Sequence, residues 1–390
     1  MGTGSLQLFA RQIETFFGGG RCFPLAKGRV ACYVGLRAMG LPAGAKVLMP
    51  GYTCMVVPAA VQNAGLTPVY LDIDPNTYNL SPSLLAGVRP EGVAALIVQH
   101  TYGIPCDMGP IDAWARQHGI PIVEDCCHTF GGSLEGRLCG RFGTFAFLSG
   151  QWNKPFSTGL GGMLLVNEPE VADRAARLID VEARRPSLLK NLLLAVQIAA
   201  HDLLVRPGTT AGLTALYRLL GRHGLVIGSS CQEELQGAIP DGYLSAMAPC
   251  QARRGLREMA RIAENIRHRK SLTEFYHREL GQSAFAASQV AAAAGAPLLR
   301  YPVRVANKGE LLSLARRRRI ELGDWFEIPL HPAGTRMEDF GYRDGMCPEA
   351  ELAAREVVNL PTHLKVSEAV ASETLDFVRR FARPAGPATC

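Results

Sequence analysis

Residues 144–166 read TFAFLSGQWNKPFSTGLGGMLLV: two apolar runs, Thr144 to Leu148 and Gly162 to Val166, close around a polar, glycine-rich segment. Runs this short and this apolar read as buried strands. Toward the N-terminus the pattern recurs at Lys46 to Met49, Thr67 to Asp72, Ala94 to Gln99 and Pro121 to Asp125. Gly28 to Gly40, Cys54 to Asn63 and Gly109 to His118 have helical period. Strands alternating with helices at this spacing predict an α/β fold, with a largely parallel sheet covered on both faces. Ligands of such sheets bind beyond the carboxyl ends of the strands. The polar residues here do follow the strands: Pro50 to Cys54, His100 to Gly103, Asp125 to His128, and Ser149 to Gly162.

Residues 167 to about 285 read as mainly helical. Beyond them, Leu298 to Val305 reads as a strand and Lys308 to Arg319, Glu349 to Val358 and Ser367 to Phe381 as helices. We therefore expect a large domain over 1–250, with a helical insertion at about 185–225, and a smaller α+β domain over 251–390.

Composition narrows the function. A chain of 390 residues that is 47% hydrophobic and 19% charged is long enough for a large core and a second domain. Forty-one Lys and Arg against 35 Asp and Glu leave a formal charge of +6, which favours an anionic ligand but is too small to argue for nucleic acid. The basic run Arg316 to Arg319 lies among leucines and reads as an exposed helix face. Eleven cysteines are scattered without a C-x-x-C pair, which argues against a structural zinc site and a secreted disulfide framework and for a reducing cytoplasm. No export signal is legible in the first 20 residues. Leu188 to Val205 is rich in Leu, Val and Ile, but Lys190, Asn191, Gln197, His201 and Asp202 interrupt it, so it does not read as a span. Lys190, Gln197 and His201 share one stripe of a helix that is otherwise apolar. Such a helix is either buried in a dimer or domain interface, or a peripheral surface that touches membrane or admits a lipid-linked substrate.

The chemistry centres on Lys154. A lysine in a loop is ordinarily a solvated surface charge, but one held at a strand end can be desolvated, which frees its neutral amine as a nucleophile. Asp125 ends the preceding strand-like run. It reads either as a helix N-cap or, with Lys154, as the carboxylate that pyridoxal 5'-phosphate (PLP) needs against its ring nitrogen. His128 is either a satisfied structural histidine or a contact to that ring. Ser149 offers a hydroxyl to a phosphate, and Gly28 and Arg29 at a helix start offer backbone N–H groups and a guanidinium.

The ordered landmarks KVLMPGYT (46–53) with TPVYLDID (67–74), HTYGIPCDM (100–108), EDCCH (124–128), the Ser149 to Gly162 segment and NLPTH (359–363) resemble the DegT/DnrJ/StrS family of PLP-dependent aminotransferases. The resemblance covers most of the chain and implies the fold type I architecture, in which most members aminate keto sugars attached to nucleotides. It makes Lys154 the Schiff-base lysine and proton shuttle, Asp125 the partner of the pyridine nitrogen, His128 a ring contact and Ser149 a phosphate ligand. Gly28 and Arg29 fall in the family's Ser-Gly-Thr phosphate loop, without its hydroxyls. Cys54 stands where the family carries an aromatic ring over PLP, so Tyr52 or His128 has to supply the face contact. Leu244-Ser245-Ala246 replaces an Asn-Tyr-Arg run that reaches nucleotide phosphates, which leaves a cyclitol, a lipid-linked sugar or another ketone open as acceptor. His331 is a candidate substrate contact. The leading expectation is a homodimeric aminotransferase with glutamate as donor and active sites at the subunit interface; no metal is called for. A dehydratase, a cysteine desulfurase and a non-catalytic regulatory relative are the alternatives. Lysine rather than histidine at 154, and Asn153 where desulfurases have histidine, speak against the first two.

Overall fold

Each apolar run of the N-terminal half is a strand of one sheet. The computed structural model describes residues 3–204, 226–228, 234, 239–281, 285 and 295–386, so part of the expected insertion, 205–225, lies outside the described residues. The seven strands stand in the order Arg21–Leu25, Leu160–Val166, Phe145–Gln151, Ile122–Asp125, Val93–Gln99, Lys46–Pro50 and Thr67–Leu71. From Phe145–Gln151 to Thr67–Leu71 all neighbours are parallel. Arg21–Leu25 and Phe145–Gln151 each pair antiparallel with Leu160–Val166.

The sheet is covered on both faces, which is why its strands are apolar throughout. Successive side chains of a strand point to opposite faces. Phe145 and Phe147 accordingly join the core under the helix Gly28–Met39 with Val30, Ala31 and Val34, whereas Ala146 and Leu148 meet Phe9, Ile13 and Phe17 of the helix Thr3–Phe17. Farther along, Leu96, Val98 and Ile122 pack on Ile111, Trp114 and Ala115 of the helix Met108–His118. The helix Gly28–Met39 ends as its sequence asks: Gly40 adopts the left-handed conformation with φ 70°, which closes the last turn without a Cβ penalty.

In the C-terminal part, Arg300–Arg304 and Val357–Pro361 form a two-stranded antiparallel sheet backed by the helices Ile262–Leu280, Lys308–Arg318 and Glu368–Phe381. The expected helix Glu349 to Val358 is shorter than its apolar pattern: it runs Pro348–Glu356, and the β-branched pair Val357-Val358 opens the strand instead. The expected helix Cys54 to Asn63 begins at Val56, because Thr53–Cys54 pairs in parallel with Leu330–His331. That short ladder ties the C-terminal part to the loop ends of the large sheet.

The helix Leu188–Leu204 buries Leu194 and Ile198 but also turns several polar side chains inward. Gln197 Nε2 donates to Ile227 O at 3.1 Å, Asn191 Oδ1 accepts from Cys250 N at 3.1 Å, and His201 stacks on Trp152 at 4.1 Å, whereas Lys190 is exposed. Leu188, Leu189, Leu192, Leu193, Val196 and Leu203 are exposed. Among the described residues no helix is long and apolar enough to cross a membrane.

Candidate active site

Lys154 sits in the tight connection between two antiparallel strands, Phe145–Gln151 and Leu160–Val166. Its N–H donates to Gln151 O at 3.1 Å, and Thr158 N returns to Gly150 O at 2.9 Å, so the loop folds back over the strand end. The side chain reaches inward, with Nζ 4.5 Å from the ring centre of Trp325. Lys154 is half-buried by exposure, yet protein surrounds its ammonium. Burial therefore lowers its pKa, against the opposing pull of Cys127, Cys54 and Asp125, while Arg300 lowers it further.

Asp125 ends the neighbouring parallel strand, in register with Phe147. Its buried carboxylate accepts from Cys127 N at 2.8 Å. A turn follows it rather than a helix, so the capping alternative does not apply. Burial raises the Asp125 pKa, and the Cys127 N–H and the Lys154 charge counter the rise. Lysine and carboxylate thus lie within electrostatic reach of each other.

The His128 ring is fixed by its neighbours. Nδ1 accepts the Tyr102 N–H at 3.2 Å, which leaves the proton of the neutral ring on Nε2. The ring lies near-parallel to Trp325, 5.3 Å between centres at 25°. Burial, then the charges of Lys154 and Arg300, push its pKa well below the ordinary histidine range, so it stays neutral. His331 is likewise pushed down to about 4 by burial and by Lys154. Cys54, paired with His331 across the short ladder, also acts on Lys154.

Tyr52 lies elsewhere. It is fully buried, with its hydroxyl 2.7 Å from that of Tyr102 and its ring edge-on to Phe326 at 4.9 Å. It supports the aromatic wall from behind; the face nearest the lysine is Trp325.

At the other end, Ser149 underlies the start of the helix Gly28–Met39. A Cβ on Gly28 would stand 3.1 Å from both Leu148 O and Ser149 Cβ, a contact tight enough to favour glycine at this approach. Arg29 is buried with Nη1 2.8 Å from Glu234, and Lys27 Nζ is 3.6 Å from the same carboxylate. The Arg29 charge is therefore shared with an acid rather than held ready for a phosphate alone.

Trp325, Arg300 and Cys127 were not singled out from sequence. A signal existed for Arg300, a cation inside the apolar run Leu298 to Val305, since a charge buried in a strand calls for a partner. A further group, His100, Glu124 and Cys126, brings three metal-type side chains together. Its carboxylate is already hydrogen-bonded by the N–H groups of Gly140 (2.6 Å), Phe142 (2.7 Å) and Gly143 (2.8 Å), with His100 Nε2 at 3.2 Å, as expected of a buried structural acid.

Known proteins bear on this arrangement. MosB of Rhizobium meliloti is 37% identical over 173 residues, which is 44% of this chain and 34% of that protein. The L-glutamine:scyllo-inosose aminotransferase of Streptomyces griseus is 34% identical over 170 residues, 44% of this chain and 40% of that protein. The chain thus spans less than half the length of both. A pleiotropic regulatory protein of Geobacillus stearothermophilus is 27% identical over 361 residues, covering 91% and 84% of the two chains. Among solved structures, a DegT DnrJ EryC1 StrS aminotransferase from Brucella abortus superposes with a TM-score of 0.74 at 21% identity over 97% of this chain and 90% of that one. NtdA of Bacillus subtilis with bound cofactor PMP gives 0.71 at 18% identity over 96% and 76%. The fold is therefore that of these aminotransferases, as the sequence landmarks lead one to expect. The family model for DegT/DnrJ/EryC1/StrS aminotransferases matches residues 3–196 and 209–379, and the chain belongs to that family.

Proposed function

We propose that this protein is an aminotransferase that holds PLP through Lys154 and carries an amino group from glutamate or its amide to a ketone on a cyclitol or sugar ring. The observation that supports the reading most is the joint placement of an amine whose neutral, nucleophilic form is favoured by burial and a buried carboxylate within its electrostatic reach.

The residues fit the cofactor. A flat neutral imidazole, a carboxylate with one N–H donor, a nucleophilic amine and a glycine-tight helix start beside Ser149 are the partners that a ring, a ring nitrogen, an aldehyde and a phosphate call for. When bound, PLP supplies an aldehyde carbon for the amine and an electron-withdrawing ring. The chain's own residues do the rest. Lys154 Nζ would be the nucleophile and, once released, would move a proton from the donor's α-carbon to the cofactor's former aldehyde carbon, then in the second half-reaction from that carbon to the acceptor carbon. Asp125 keeps the ring nitrogen protonated. His128, held neutral, lies against the ring without adding charge. Ser149 and the first turn of the helix Gly28–Met39 receive the phosphate.

A cyclitol-like acceptor is supported by residues 244–246. This segment carries no cation, and its backbone is tied to its own subunit through Ala26 N to Ser245 O at 2.9 Å and Ala246 N to Arg184 O at 3.0 Å, so it offers nothing to nucleotide phosphates. The relative that aminates scyllo-inosose by name points the same way. The outward apolar face of the helix Leu188–Leu204 supports a homodimer. A regulator on the same fold is the competing reading, resting on the likeness to a pleiotropic regulatory protein along nearly the whole chain; the family match and the aminotransferase relatives weigh against it.

The test is Lys154→Ala. We expect it to abolish both the visible absorbance of lysine-bound PLP and the release of 2-oxoglutarate from glutamate, with the thermal midpoint unchanged or raised. A wild-type chain that takes up no PLP, or releases no keto acid from glutamate or glutamine, overturns the enzyme reading in favour of the regulator.

A further inference from the structure

Arg300 is half-buried as a residue, but protein surrounds its guanidinium, which forms no ion pair among the described residues. It opens the strand Arg300–Arg304, opposite Pro361. Its guanidinium lies between two surfaces: Cζ is 5.0 Å from the ring centre of Trp325, and Nη1 occupies the space that a Cβ on Gly323 would enter at 2.6 Å. Gly323 is itself fixed by paired backbone bonds to Asn359 at 2.8 and 3.0 Å, so the slot is part of the fold. Within it the Nε atom is buried without a hydrogen-bond partner.

The surroundings supply an acid at a distance but no direct ion pair among the described residues. Glu321, the acid that acts on Arg300, is hydrogen-bonded by His363 at 2.9 Å, and among the described residues Arg300 forms no ion pair. Behind it stands a second buried cation, Arg269, whose Nη1 donates to Leu298 O, Leu299 O and Thr362 Oγ1 and whose Nε donates to Asn265 Oδ1. An unpaired buried cation is costly, and two together more so, unless a negative ligand joins them. Burial, followed by Arg300's charge, lowers the Arg269 pKa to about 9.

Position says which ligand. Lys154 Nζ lies over the same Trp325 ring, so the two cations are no farther apart than their two distances to that ring laid end to end. This is the reach of one amino acid set between a reactive amine and a carboxylate fork. We propose that Arg300 is the carboxylate-binding residue of the site, taking the carboxylate on the amino-bearing carbon of the donor and so turning its amine toward Lys154. The inference rests on the aminotransferase reading for the identity of the ligand as donor, but the carboxylate site stands on its own geometry. A bidentate guanidinium–carboxylate pair is the geometry an arginine forms and a lysine cannot.

Calorimetric titration with glutarate, a dicarboxylate without an amine, tests the site apart from turnover. Wild-type protein is expected to bind it saturably, Arg300→Gln roughly 10- to 100-fold more weakly, and Arg300→Lys in between. In the donor half-reaction wild type should favour glutamate over 4-aminobutyrate, which lacks the α-carboxylate, and Arg300→Gln should lose that preference while retaining PLP absorbance. Glutarate affinity unchanged in Arg300→Gln, or in Arg300→Lys should the glutamine variant not fold, overturns the inference, even if the wild type transaminates. Glutarate binding that depends on Arg300 in a protein that releases no keto acid supports the site and sinks only the aminotransferase reading.

Discussion

Gly162→Ala tests the phosphate end of the site, because it strikes the joint between the lysine-bearing hairpin and the first helix. A Cβ at 162 would come well under 3.0 Å from Lys27 C, Lys27 O and Gly28 N, all backbone atoms, where ordinary contact is 3.4–4 Å. The start of the helix Gly28–Met39 would have to retreat by several tenths of an ångström at the least, and it has nowhere to go. About two turns farther on, Gly35 is already pressed against the Phe145 ring. Overpacking of this kind costs about 1–3 kcal/mol, which in a chain of this size lowers the thermal midpoint by roughly 1–4 °C. If the first turn receives the phosphate, PLP affinity should fall by at least about 10-fold, the loss of one charge-assisted hydrogen bond, while turnover at saturating PLP changes little. The control is Gly309→Ala, where a Cβ meets nothing within 4 Å. PLP titration followed by absorbance, beside thermal denaturation of both variants, decides the matter. A Gly162→Ala protein indistinguishable from the Gly309→Ala control in midpoint and PLP affinity refutes the reasoning.

Two further outcomes are expected. Glu124→Gln places an amide NH₂ among three N–H donors, so about 1–3 kcal/mol of stability should be lost with little change in kcat; denaturant titration measures it, and equal midpoints would count against a structural role for this carboxylate. His331 has a folded pKa of about 4 against an ordinary 6.5, so between those values the unfolded chain binds more protons than the folded one. Stability should therefore fall as pH drops from 6.5 toward 4, by about 1–3 kcal/mol from this group, and His331→Gln should flatten the slope in chemical denaturation at stepped pH.

Much of the site was legible because the determinants were local. Asp125 and Ser149 were placed from the polar residues that terminate apolar strands, and Lys154 from the loop that follows one. Their neighbours beyond the strand ends could not be read in the same way. Trp325 and Phe326 come to the lysine through contacts such as Phe326 N to Tyr52 Oη at 3.3 Å, 274 residues apart along the chain, and no periodicity encodes that meeting. Tyr52 shows the converse: proximity in sequence to Cys54 made it a candidate ring contact, but its hydroxyl found Tyr102 and its ring found Phe326, which drew it into the wall.

The sequence by itself determined the alternation of strands and helices, the strand ends that carry Asp125 and Lys154, and the family, because burial on both faces writes itself into each segment as an unbroken apolar run. Only the tertiary structure decided that Arg300 and Trp325 share a slot with the lysine, and that the helix Leu188–Leu204 leaves an apolar face outward while burying Leu194 and Ile198. A hydrophobic stripe specifies that a face will be covered, not by what. The choice of partner is made by packing between segments far apart in the chain, where free energies of a few kcal/mol from cavities, buried charges and hydrogen bonds select one arrangement.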